Sequence, residues 1–222
     1  GSAGWFARAF GAPLFMSRTD WLLATMYGQE TQHSIEMRNA AFYGLCGADP
    51  DMVEALVTGD PSYRFVEAMP AVFRPLRDGD TVEAGGSAWT VMIGEGHSPE
   101  HVCLHSPGRN VLIAGDHVLP RIVPTIGVNP FEPDSDPLNA YLRSLRKFRA
   151  CAPDVLVLPG HGTPFVGLHA QLDELESFHE ETLAVARDAC RAPSTVLDVV
   201  RATVGEAAEI RMQRMNLMEA AA

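Results

Sequence analysis

Apolar residues recur at helical spacing through the first part of the chain. Two stretches, at residues 5–10 and 21–26, each place their large side chains on one face of a helix. Farther on, Asp49 precedes Pro50, a pair that suits a helix start, because aspartate caps free backbone N–H groups and proline needs no N–H at the first helical position. We therefore predict a helical segment over about residues 1–60.

The spacing then changes to that of short β-strands separated by turn residues. The predicted strands lie at residues 73–76, 81–83, 89–93, 101–105, 111–114 and 155–158. The stretch 106–110 fits a hairpin connection. Later helices are predicted from Pro137, along the apolar stripe that begins at Leu168, and after Ser194, which we expect to cap the last helix. The predicted fold class is mixed α/β (α+β).

Composition and charge narrow the range of partners. With 222 residues, 46% hydrophobic and 20% charged, the chain resembles an ordinary globular protein. Its formal net charge of −11 argues against nucleic acid, because such binding depends on Lys and Arg that neutralise phosphates. The four cysteines form no C-x-x-C pair, and neither a membrane span nor a signal peptide is visible. We expect a cytoplasmic protein with a small-molecule substrate and no membrane or nucleic-acid partner.

Three potential metal ligands each follow a predicted strand. They are His97, Asp116 and His161, and glycines lie beside all of them. Strand ends hold side chains at the rim of a sheet, while glycine lets the backbone turn sharply there. Imidazole and carboxylate suit Zn²⁺, Fe or Mn²⁺. A single histidine in such a place is more often structural, so the prediction depends on all three residues together.

The segments around these residues resemble, in order, the last three metal motifs of the metallo-β-lactamase superfamily. They read Gly-Glu-Gly-His97-Ser-Pro-Glu-His101, Ala-Gly-Asp116-His117 and Leu-Pro-Gly-His161-Gly. The resemblance covers nearly the whole chain and is closest to bacterial hydrolases with a C-terminal helical or winged-helix appendage. It implies an αββα sandwich with a binuclear metal site, usually zinc, at one edge. The domains we predict from it are 1–192, metallo-β-lactamase-like, and 193–222, the start of the appendage.

The resemblance also implies a role for each ligand. His97 would bind the first of two divalent ions, His161 the second, and Asp116 would bridge them. A bridging carboxylate offsets the repulsion between dications roughly 4 Å apart and helps to lower the pKa of a hydroxide held between them. The implied activity is hydrolysis of a small ester, thioester or lactone, with that hydroxide as nucleophile. We expect zinc, with iron or manganese as alternatives.

Three further residues are candidates for substrate binding. Arg121, in the loop after the bridging aspartate, has the charge to pair with an anionic group. His101 flanks a ligand motif and can orient a ligand or touch substrate, and His179 resembles a helix histidine that relatives place near the site. The N-terminal helices are candidates for a lid or a dimer surface, so a homodimer is compatible with the sequence.

One motif of the superfamily does not occur in these residues. Its H-x-H-x-D-H string supplies two ligands to each metal, and residues 1–5 resemble the turn and helix that follow that string in relatives. We therefore expect the chain to begin just after the motif and to lack the N-terminal part of the sandwich. Two other functions stay open: a phosphodiesterase or RNA nuclease of the same fold, against which the negative charge counts, and a non-catalytic scaffold or binding module.

We predict that a protein of these 222 residues binds Zn²⁺ weakly and turns substrate over slowly. The reason is that His97 and His161 each share a metal with Asp116 alone, whereas catalytic zinc sites have three protein ligands. Metal analysis after dialysis into chelator-free buffer measures this. Two tightly held equivalents per chain would contradict the prediction.

Overall fold

The structure, a computed structural model, describes residues 2–58, 68–204 and 216–222. The helices are α1 (Ala3–Phe10), α2 (Arg18–Gln29), α3 (Gln32–Leu45), α4 (Pro50–Val57), α5 (Pro137–Phe148), α6 (Leu168–Ala189) and α7 (Val196–Val204), and residues 216–220 are also helical. The strands are β1 (Phe15–Ser17), β2 (Arg74–Leu76), β3 (Thr81–Ala84), β4 (Ser87–Gly94), β5 (His101–Ser106), β6 (Val111–Gly115) and β7 (Leu156–Pro159). The predicted mixed α/β class is confirmed. None of the described helices is both long and apolar enough to cross a membrane.

The chain divides into two compact units. The first combines residues 1–29, 62–124 and 139–174, and the second combines residues 30–61, 125–138 and 175–222. All three candidate ligands belong to the first unit. The domain boundary that we predict after residue 192 stays a prediction.

A five-stranded sheet organises the first unit. Its order is β3-β4-β5-β6-β7, so every strand pairs with its neighbour in the chain. The first three pairs are antiparallel, whereas β6 and β7 are parallel and are connected through α5. Because β5 runs against both of its neighbours, β4 and β6 point the same way, and β7 points with them. The C-terminal ends of β4, β6 and β7 therefore share one edge with the start of β5.

One face of this sheet lies in the core. Cys103, Leu112 and Val157 share that face through the strand register and are fully buried. The helical residues that are fully buried in this unit include Tyr141, Leu145 and Phe148 of α5. Just beyond α5, the Cys151 thiol lies 3.8 Å from the Met92 sulfur of β4. Burial of these side chains stabilises the sheet edge from which the candidate ligands project.

The opposite face of the sheet is also apolar. Val91, Leu104, Ile113 and Leu158 form one row, paired residue to residue across four strands. Burial along the row is uneven, since Val91 is 1% exposed and Ile113 is 37% exposed. Apolar residues on both faces explain why these strands appear in the sequence as nearly continuous apolar runs without polar alternation.

The second unit has a core of its own. Its buried members are Phe42, Tyr43, Cys46, Leu56, Val128, Leu197, Val200 and Leu217. α4 begins as predicted, because Asp49 accepts the Met52 N–H at 2.8 Å and Pro50 takes the first helical position. A backbone hydrogen bond of 2.9 Å from the Leu197 N–H to the Cys46 carbonyl ties α7 to the end of α3.

Two local features differ from the predictions. Residues 15–17 form β1 inside the segment predicted to be helical, because parallel pairing with β2 satisfies their backbone groups. α7 is capped by Thr195 and not by Ser194: the Asp198 N–H donates to the Thr195 hydroxyl at 3.2 Å, and the Thr195 N–H donates to the Asp198 carboxylate at 2.9 Å. This reciprocal pair is a capping box, whereas the Ser194 hydroxyl donates back to the Ala189 carbonyl.

Replacing Leu145 by alanine should lower the free energy of unfolding by about 2–5 kcal/mol, because a fully buried leucine leaves a cavity. Denaturant unfolding followed by circular dichroism measures the change. Leu22→Ala is the matched control, since Leu22 is 54% exposed in the same unit and its loss should change stability by less than about 0.5 kcal/mol. Equal effects of the two substitutions would contradict the core position of Leu145.

Candidate functional site

The structure brings the three predicted ligands together at the shared edge of the sheet. His97 follows β4, Asp116 follows β6, and His161 follows β7. The Nε2 atom of His97 lies 3.6 Å from Oδ2 of Asp116, and the Nε2 atom of His161 lies 3.7 Å from Oδ1. Each carboxylate oxygen of Asp116 thus faces one imidazole nitrogen.

These separations fit divalent cations placed between the donors. Two ligand atoms that hold one tetrahedral ion at about 2.0–2.2 Å are roughly 3.4 Å apart. The Oδ1 atom of Asp116 is buried without a hydrogen-bond partner in the described part of the chain, a situation that a bound cation relieves. The donor set fits one ion between His97 and Oδ2 and another between His161 and Oδ1. Among the described residues, however, no three donor side chains surround a single point.

The first turn of α2 holds the loop that carries His97. The Ser98 hydroxyl donates to the Asp20 carboxylate at 2.9 Å, and the Glu100 N–H donates to the same carboxylate at 3.4 Å. In return, the Thr19 N–H donates to the Glu100 carboxylate at 2.9 Å. A carboxylate is favourable at this helix end, because the first N–H groups of a helix have no partner within it. The exchange of bonds fixes both ends of the short loop after His97.

A local irregularity aims Asp116. The pairing of β6 with β7 shifts register between Ile113 and Gly115, and Gly115 has a φ of +52°, in the left-handed region that favours glycine. Beyond that turn the Asp116 N–H donates to the Nε2 atom of His101 at 3.2 Å. Burial lowers the pKa of His101, which favours the neutral imidazole. His101, which we predicted to contact substrate, therefore already uses its ring to bond the backbone N–H of Asp116.

Glycine at position 160 lets the two strand ends approach. The Gly160 N–H donates to the Gly115 carbonyl at 2.7 Å, which joins the ends of β7 and β6. A Cβ atom on Gly160 would overlap the Oδ1 atom of Asp116. Any larger residue here must displace the carboxylate, which explains the glycine that precedes His161. The side chain of His161 is 70% exposed and is the most open of the three ligands.

A buried histidine lies directly behind the edge. His117 is fully buried, and burial, assisted by the neighbouring His101 and His97, lowers its pKa to about 3. Its Nε2 atom lies 3.1 Å from the Ser144 hydroxyl, and the Tyr141 hydroxyl donates to its carbonyl at 3.1 Å. Its ring fills the space where a Cβ of Gly94 would stand. His117 is thus a neutral packing residue that links α5 to the edge.

The two other substrate-binding candidates occupy different environments. Arg121 is exposed and has a φ of +62°, which is uncommon for a residue with a side chain. Its neighbour Pro120 lies against Gly162, the residue after His161, so this loop adjoins the sheet edge that carries the candidate ligands. His179 is a buried residue of the second unit, and burial lowers its pKa.

Sequence reasoning missed the residues that support the ligands. Asp20 and Ser144 bond residues of the site from a distance in sequence, and Cys103 bonds His101 two positions away on the same strand. Asp20 could be recognised from the sequence only as an acidic residue in the first turn of a helix, which is common at helix starts and does not indicate a functional site. Nothing in the sequence links it to a loop that begins 77 positions later, at His97.

Similarity to known proteins extends over most of the chain. The family model described as the metallo-beta-lactamase superfamily matches residues 1–161. A beta-lactamase domain protein from Burkholderia ambifaria superposes with a TM-score of 0.82 at 32% identity, over 100% of this chain and 62% of that one. A metallo-beta-lactamase family protein from Thermus thermophilus superposes with a TM-score of 0.80 at 21% identity, over 99% of this chain and 67% of that one, a likeness of fold alone.

A curated relative adds a named activity. It is an atrochrysone carboxyl ACP thioesterase of Paecilomyces divaricatus, 27% identical over 180 residues, which are 76% of this chain and 51% of the relative. The chain thus spans about half the length of the curated relative that it matches.

Gly160→Ala should lower the affinity for Zn²⁺ by roughly tenfold or more, because the added methyl group displaces the Asp116 carboxylate. Calorimetric titration of the metal-free protein measures the affinity. Gly108→Ala is the control, since a Cβ there meets nothing within 4 Å. An unchanged affinity in a folded Gly160→Ala protein would show that the carboxylate does not hold the metal.

Proposed function

The chain belongs to the metallo-beta-lactamase superfamily, and we propose that it is a metal-dependent hydrolase of a small ester, thioester or lactone, with a thioester as the first choice. The observation that carries the proposal is the geometry of Asp116, whose two carboxylate oxygens each face one imidazole, 3.6 and 3.7 Å away. The curated relative named as a thioesterase supports the choice of substrate.

Proteins of this superfamily generally bind divalent metals, and the donors present here suit two such ions. We propose zinc, with iron or manganese as alternatives, held by His97 and His161 with Asp116 between them. When bound, such ions supply a nucleophile at neutral pH by lowering the pKa of water, and they polarise the acyl carbonyl.

The chain's own residues orient the reacting groups. Asp116 would supply negative charge to both metal positions and so would offset the repulsion between dications. His161 is the most exposed ligand, and we propose that the substrate approaches from its side. We propose that Arg121, exposed in the adjoining loop, binds an anionic group of the acyl compound. The formal charge of −11 agrees with a small substrate and disfavours a polyanionic one.

Asp116→Ala should abolish metal binding and hydrolysis together, because it removes the donor common to both metal positions. Metal content by elemental analysis and hydrolysis of an acyl-thioester by the metal-loaded protein are the two measurements. Asp154→Ala, an exposed carboxylate in the same unit, is the control and should match the unaltered protein. Full activity in Asp116→Ala would rule out the proposed centre.

A substrate panel of acyl-thioesters, lactones and phosphodiesters extends that experiment. We expect the highest kcat/KM for an acyl-thioester. A kcat/KM that is highest for a phosphodiester would contradict the proposed reaction while leaving the metal centre intact.

A further inference from the structure

We infer that His101, backed by Cys103, is a positioning residue that fixes Asp116 through its backbone. The inference rests on the proposed function, because the Asp116 carboxylate is also the group proposed to hold the metals. What is new is the tautomer of His101 and a closed ring of hydrogen bonds that joins β5 to β6.

The backbone of Asp116 departs from the sheet ladder at the register shift. Ile113 pairs with Leu158 and Gly115 pairs with Pro159, so β6 uses one residue more than β7 over this step. After the left-handed turn at Gly115, the Asp116 N–H donates to the Nε2 atom of His101 at 3.2 Å. A side chain thus replaces the missing strand partner, because a backbone N–H near the core needs an acceptor.

This bond determines where the imidazole proton is. A backbone N–H can only donate, so Nε2 of His101 must accept and the proton of the neutral ring is on Nδ1. Nδ1 lies 3.6 Å from the sulfur of Cys103, which therefore accepts. The Cys103 thiol then donates to the Ala114 carbonyl at 3.3 Å. The thiol of Cys103 cannot instead donate to Nδ1 of His101. Both ring nitrogens would then be acceptors, and the imidazole would carry no proton.

The bonds close a ring around the irregular end of β6. His101 and Cys103 are two residues apart on β5 and so lie on the same face of the sheet. His101 accepts the N–H of Asp116, and Cys103 donates to the carbonyl of Ala114. These two bonds lie on either side of Gly115. Both sides of the turn are thereby tied to the neighbouring strand.

Close packing leaves the imidazole no alternative position toward Gly115. A Cβ built on Gly115 would lie 2.5 Å from Cε1 and 2.9 Å from Nε2 of His101. Cys103 is fully buried behind the ring. The Oδ1 atom of Asp116 has no hydrogen-bond partner among the described residues, so the bond at the Asp116 N–H contributes to holding the carboxylate toward His97 and His161.

The first test needs neither metal nor substrate. Long-range ¹H–¹⁵N NMR on the metal-free protein at neutral pH should show His101 as the Nδ1–H tautomer. Exchange of the Asp116 amide proton should be slow, and His101→Leu should accelerate it by roughly tenfold or more because the acceptor is lost. An Nε2–H tautomer would overturn the inference, and this measurement decides the matter even if the leucine variant does not fold.

The second test separates positioning from general structure. His101→Leu should weaken Zn²⁺ binding by roughly 10–100-fold in a calorimetric titration, and His101→Gln, which restores an acceptor near the Nε2 position, should recover most of it. His105→Leu, farther along β5, is the matched control and should bind as the unaltered protein does. A folded His101→Leu protein with unchanged affinity would overturn the inference. If instead Asp116→Ala left hydrolysis intact, the proposed function alone would fail, because the tautomer and the exchange rate are read without turnover.

Discussion

The direction of β5 decides where the chemistry of the first unit lies. Because β5 runs antiparallel to both β4 and β6, these two strands end at the same edge, and the parallel β7 ends there too. His97, Asp116 and His161 each follow one of those ends. If β4 instead paired antiparallel with β6 directly, without β5 between them, His97 would lie at the opposite edge, a full strand length from Asp116 and His161.

The candidate site also requires side chains to lie close against the backbone at this edge of the sheet. The carboxylate of Asp116 lies where a side chain on Gly160 would be, and the ring of His101 lies against Gly115. Glycine is needed at both positions for contact and, at Gly115, also for a φ of +52°. Gly115 and Gly160 therefore help to orient the Asp116 carboxylate, because neighbouring atoms occupy the space that a side chain at either position would need.

Polar side chains from several elements of the first unit support the candidate ligands. Asp20 of α2 holds the loop after His97, His101 of β5 holds the backbone of Asp116, and Ser144 of α5 bonds the buried His117. Burial lowers the pKa of both His101 and His117, and a neutral imidazole costs less to bury than a charged one. Such supporting bonds keep a donor set in place while a metal or substrate exchanges.

The sequence alone determined the mixed α/β class, most of the strands, the helix start at Asp49 and the strand-end placement of the three candidate ligands, because these follow from local spacing and short motifs. Only the tertiary structure decided that β1 is a strand, that Thr195 and not Ser194 caps α7, and that Asp20 and Cys103 support the site. The physical reason is the separation in sequence over which each interaction acts. Helix periodicity and caps act over a few residues, whereas strand pairing and the bonds around Asp116 join positions whose separation in sequence carries no local signal.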